Sequence, residues 1–245
     1  MKKIILFLTT AVLLQAGFAF AQEAEFYDDG GAYPFQIGLY PTLQFVPYDQ
    51  DVTGLRINVI GVNRNMTGVD IGLINQSDES FRGLGLGLVN LSKGDYNGVA
   101  ISFVNHVNGD SVGIHGIPLL SVYQAINVVH GELTGLQGGW YNQAGSLNGL
   151  QGGAMNVSDA TQGGQLGVYN YAGSMGGVQV GLVNMAYKDA HGLQIGIFNG
   201  AGHFRGLQIA LVNQAQTLEG LQIGLVNAVS QKETLPVMVI ANWQF

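Results

Sequence analysis

Gly206-Leu-Gln-Ile-Ala-Leu-Val-Asn213 is followed by six looser residues, Gln214 to Glu219, and then returns almost unchanged as Gly220-Leu-Gln-Ile-Gly-Leu-Val-Asn227. Working back along the chain, the same unit reads GLQIGIFN from Gly192, GVQVGLVN from Gly177, GGQLGVYN from Gly163, GLQGGAMN from Gly149 and GLQGGWYN from Gly135. Earlier copies are GVAISFVN from Gly98, GLGLGLVN from Gly83 and GVDIGLIN from Gly68, with a degenerate one from Gly54. Recognisable copies are spaced by 14 or 15 residues, and the pattern blurs between Asp110 and Val129. Within a copy the side chains alternate with period two, the mark of a strand. Leu207, Ile209, Leu211 and Asn213 share one face; Gln208, Ala210 and Val212 share the other. A helix is disfavoured, because two glycines per copy would each cost about 1 kcal/mol. Connections such as NQAGSLNG and NGAGHFRG have turn composition. The chain therefore reads as all-β.

Composition agrees with a repeated β unit. Of 245 residues 38 are Gly, and only 10% are charged, against about 25% in ordinary soluble domains. Glycine does not fall at every third position, which excludes collagen, and there is too little charge for a disordered chain. The absence of cysteine removes thiol catalysis, disulfides and Cys-ligated zinc. A net charge of −7 with no basic patch gives no reason to expect nucleic acid as a partner.

Lys2 and Lys3 precede an apolar run from Ile4 to Leu14, and Ala19-Phe20-Ala21 supplies small residues for cleavage. Residues 1–21 are read as a secretory signal peptide, and residues 22–245 as a single repeat-built β domain. No later apolar stretch is long enough for a membrane helix, so any further membrane contact must be made by strands.

Two architectures can use the repeat. The first is an antiparallel transmembrane β-barrel of about 14–16 short strands, with Leu and Ile facing lipid and Gln and Gly facing inward. The second is a small-coil β-solenoid, in which Leu and Ile fill a narrow core and Asn75, Asn90 and Asn105 stack as a ladder. Charge placement suits a barrel: Arg56 and Asp70 fall on the inner face, where they can pair across neighbouring strands, and most other charges fall between motifs. Uniform spacing suits a solenoid, since barrels alternate short turns with longer loops. The C-terminal run Val237-Met-Val-Ile-Ala-Asn-Trp-Gln-Phe245, with Val237, Val239, Ala241, Trp243 and Phe245 on one face, resembles the closing strand of bacterial outer-membrane barrels. The barrel is the reading taken.

At the level of the repeat, residues 54–227 also resemble bacterial surface-repeat proteins built from GLQIGLVN-like units, described from spirochaetes and other Gram-negative bacteria. That resemblance brings no catalytic or binding residues with it.

No GxSxG, P-loop or HExxH motif is present, so an enzyme is not expected. Catalytic, cofactor-binding and metal residues are set at none, and no cofactor is expected. His106, His115, His130, His191 and His203 are read as ordinary turn histidines, and Glu23, Glu25, Asp28 and Asp29 as a solvated tail. Phe26, Tyr27, Tyr33, Tyr40, Phe45 and Tyr48 suit either an aromatic girdle or plain core and turn positions. Gln137, Gln151, Gln165, Gln179, Gln194, Gln208 and Gln222 hold one motif position and suit either a pore lining or, preferably, a structural hydrogen-bond network. The expected function is an outer-membrane barrel with a structural or porin-like role. Its expected partners are outer-membrane lipid, the barrel-assembly machinery and small solutes. The alternative is an exported solenoid serving as a surface binding or adhesion module.

Overall fold

The computed structural model describes residues 31–116 and 125–244. The proposed signal peptide, the acidic tail, Phe26, Tyr27 and Phe245 lie outside them. Among the described residues the chain is all-β and winds into a β-solenoid of about 12 coils. It is not an antiparallel barrel. Each strand lies parallel to the same segment of the next repeat: Val52–Asn58 on Ile60–Ile71, Ile60–Ile71 on Ile74–Leu86, and Phe198–Ile209 on Val212–Val229. One unbroken extended run of 70 residues, Ile126–Ile195, winds through the middle of the stack. Antiparallel pairing is confined to the two ends, where Leu43–Gln44 covers Tyr33–Tyr40 and Val237–Gln244 covers Val212–Val229. With the barrel goes the porin-like role, because side chains fill the interior.

Register follows the repeat. Gly192, Gly206 and Gly220 lie one above another, as do Gln194, Gln208 and Gln222. Fifteen-residue copies absorb their extra residue as an irregularity, between Ala186 and Asp189 or between Asn63 and Asn65. The blurred segment is regular on both flanks: Ser111–Gly116 pairs with Leu133–Gly138, and Val104–Val107 with Ile126–Val129.

Sidedness is the opposite of that expected for a solenoid. Gln208 and Asn213 are fully buried, whereas Leu211 is half exposed and Leu207 and Ile209 only partly covered. Leu and Ile thus face outward and Gln inward, as the barrel reading had placed them, but around a packed core instead of a lumen. The cause is the stacking itself. Parallel in-register coils set identical side chains about 4.8 Å apart, which suits amide-to-amide hydrogen bonding. The apolar core is narrow and occupies a different motif position. Val52, Met66, Phe81 and Tyr96 form one column on successive coils. Met175, Ala190, Phe204 and Leu218 continue that position beyond a polar break, where Ser158 and Thr161 bond to each other.

The terminal strand is a lid on the last coil and not a barrel seam. Leu221 pairs with Trp243 and Gln222 with Asn242. Strict alternation fails at Ile240, whose φ is +71°, so Val239 and Ile240 both face outward. The girdle reading also fails. Tyr40, Phe45 and Tyr48 belong to the opposite end cap, around Val46, which is itself buried.

Candidate interaction surface

Two amide ladders run the length of the core. Twelve asparagines, from Asn58 to Asn227, form a column in which each but the last donates Nδ2 to the Oδ1 of the next, at 2.8–3.3 Å. The second N–H of a typical member goes to a backbone carbonyl, as Asn213 Nδ2 does to Ile223 O at 2.9 Å. Seven glutamines run the other way, each but Gln137 donating Nε2 to the preceding Oε1 at 2.6–2.9 Å, from Gln222 back to Gln137. The preferred reading of these glutamines, a structural network, is what the structure shows. Because the ladders point in opposite directions, their amide dipoles oppose. An orphaned amide in such a column costs about 1–3 kcal/mol. Gln179→Leu strips Gln165 Oε1 of its donor and is expected to cost about 2 kcal/mol in urea unfolding; no change in the midpoint would refute the ladder's contribution.

Nearer the N-terminus the glutamine column becomes Arg56 and Asp70. They pair as the sequence suggested, through Arg56 Nε to Asp70 Oδ1 at 2.9 Å and Nη2 to Oδ2 at 2.5 Å, and both are fully buried. Asn63 Oδ1 and Gln76 O accept from Arg56 Nη1, and Asn58 Nδ2 donates to Asp70.

His115 occupies the same column, and it is a core residue, not a turn histidine. Ser111 Oγ donates to Tyr96 O at 2.8 Å, so it accepts from His115 Nε2, 2.5 Å away. That leaves Nδ1 unprotonated and without a partner. Burial pushes the His115 pKa down to about 4. Below pH 6.5, the value for the unfolded chain, unfolding takes up a proton that the folded chain refuses. The associated stability is complete above pH 6.5 and is lost progressively as pH falls towards 4, by up to about 3 kcal/mol. His115→Gln, which restores the repeat's usual residue, is expected to flatten the urea midpoint between pH 6.5 and 4. An unchanged slope would refute this.

The outer surface divides lengthwise. Motif positions two and four form two aliphatic columns: Phe35 and Ile37 lie beside Leu55 and Ile57, then Val69 and Ile71. The far end has Leu207 and Ile209, Leu221 and Ile223, then Trp243 and Ala241. No charge interrupts either column. Charges lie in the segments that precede each motif glycine, where Arg64 pairs with Asp51, Lys93 with Asp78 and Arg205 with Glu219 between stacked coils. The exposed Arg82, Arg205 and Glu219 stand directly before Gly83, Gly206 and Gly220 at one edge of the columns. Hydrogen bonding from Arg64 holds the Asp51 carboxyl below its usual range.

The remaining histidines do not form a site. His106 and His130 meet edge to face at 5.0 Å. His191 and His203 line a shallow hollow of about 380 Å³ with Asp189, Arg205 and Glu219. His203 Nδ1 lies 2.7 Å from Thr217 Oγ1. Among the described residues no group of three or more His, Asp or Glu side chains could hold a metal.

No protein-family model, curated protein or solved structure matches this chain. The apolar columns are therefore the feature on which a functional reading must rest. Sequence reasoning assigned them to lipid or to a core, and so did not register them as an uncovered surface.

Proposed function

We propose that the chain is an exported β-solenoid acting as a surface binding module, with its aliphatic columns as the docking face. The observation behind this is the lengthwise division of the surface. An uncharged apolar strip running the length of the described stack is larger than the patches a monomeric protein ordinarily leaves exposed. The leader-like N-terminus supports export.

Two measurements test the reading. In a Gram-negative host the tagged full chain should be recovered outside the inner membrane and shortened near Ala21; retention in the cytoplasm at full length would reject export. Diluted until it is a single copy by sedimentation, the protein should be retained strongly on a phenyl resin. The triple variant Leu193→Glu, Leu207→Glu, Leu221→Glu should elute early with an unchanged far-ultraviolet spectrum. Equal retention of the two would reject the docking face.

A further inference from the structure

We infer that the partner on this face is a second copy of the same chain, packed antiparallel about a twofold axis that passes between Gly138 and Gly152. The inference rests on the docking reading above and names its occupant.

Size is the first support. The columns cross twelve coils, marked by the twelve motif-first glycines from Gly54 to Gly220, and continue onto an end strand at either side. At about 4.8 Å per strand the strip is about 60 Å long, and two columns set about 7 Å apart, with the breadth of their own side chains, make it about 13 Å wide. The result is about 800 Å² per copy, the area of a standard stable interface.

Charge is the second. The strip is free of it, so two acidic copies can meet without opposing like charges. A face meant for an anionic bilayer would be expected to carry a basic fringe, whereas Arg205 beside the columns is paired with Glu219, Arg64 and Lys93 are paired as well, and the exposed Arg82 at that edge makes no fringe by itself. Pitch is the third: both copies carry side chains at the same strand spacing, so the columns of one can settle between those of the other, as in a steric zipper.

The glycines locate the axis. Motif position four is aliphatic in most copies but is glycine in three successive coils, Gly116 in the fifth, Gly138 in the sixth and Gly152 in the seventh, and the last two are the middle pair of twelve. A Cβ added to either would meet nothing within 4 Å. Two twisted sheets packed face to face approach most closely at their centre and diverge towards their ends. An antiparallel twofold arrangement sets the sixth coil of one copy against the seventh of the other, so both glycines lie where the sheets must come closest.

The chain has no cysteine, which allows a direct test on the full chain. Sedimentation should give twice the chain mass. An equimolar mixture of Gly138→Cys and Gly152→Cys chains should be joined by a short bis-maleimide. Leu207→Cys chains should not join to each other, but should join to Val69→Cys chains, their expected counterparts at the opposite end. Leu150→Glu should raise the dimer dissociation constant about a hundredfold without changing the circular dichroism. Self-joining of Leu207→Cys would overturn the antiparallel arrangement. A monomer retained by phenyl resin, or taken up by neutral phosphatidylcholine vesicles, would overturn the dimer and leave the docking face standing. A monomer that binds neither would overturn both.

Discussion

Gly177→Ala is expected to abolish folding. A Cβ at this residue would lie 2.0 Å from Gly163 O, 2.9 Å from its carbonyl carbon and 3.1 Å from its nitrogen. The obstacle is backbone, held in turn by the glycine beneath it, so no side chain can move aside. The φ of Gly177 is +133°, a conformation that alanine adopts only with strain. Both costs fall on one residue, and the loss should exceed about 4 kcal/mol. Soluble expression with far-ultraviolet circular dichroism is the measurement, and a cooperatively folding Gly177→Ala protein would refute the stacking. Gly138→Ala is the matched control. Within one copy its methyl meets nothing and its φ is not positive, so the stability of the single chain should change by less than about 1 kcal/mol.

Arg56→Leu is expected to cost about 3–5 kcal/mol, because it leaves the Asp70 carboxylate buried without its counter-charge. Asn58 Nδ2 alone cannot replace the two bonds that Arg56 supplied. Removing both charges in Arg56→Leu, Asp70→Leu should recover most of the loss, since an apolar pair of similar volume needs no compensation. Urea unfolding of the two single variants and the double variant gives the coupling directly. Additive losses would mean that the pair does not act as a unit.

The period-two alternation assigned correct sides to Leu207 and Gln208 but set Asn213 with the leucines, whereas a bend at Ala210 and Leu211 turns it into the core, and it could not choose the architecture. It records which face a residue takes and is silent on whether the next strand runs parallel. Equal repeat length was the better guide, because only coils stacked in register require it. The recurring amide was a second guide: like sits on like in a parallel stack, and an antiparallel neighbour would break the glutamine column. Arg56 and Asp70 were legible because they replace glutamine at one motif position in consecutive copies. His115 and Asn127 were missed, since eight inserted residues, 117–124, separate the two halves of their copy. The signal that could have found them is Gly113-Ile-His-Gly116, which keeps the spacing of Gly135-Leu-Gln-Gly138. The terminal strand misled for a plain reason: an alternating apolar segment can cover the end of a stack as well as close a barrel.

The inward amides have a thermal consequence. Exposing apolar surface raises the heat capacity on unfolding, and exposing polar surface lowers it. A fold that keeps its leucines outside and its amides inside releases little of the first and much of the second. Its heat-capacity increment should fall below the usual 12–15 cal/mol/K per residue, approximately, which gives a broad, shallow stability curve that declines little on cooling. The large negative increment that most proteins show on folding would here accompany the covering of the aliphatic columns.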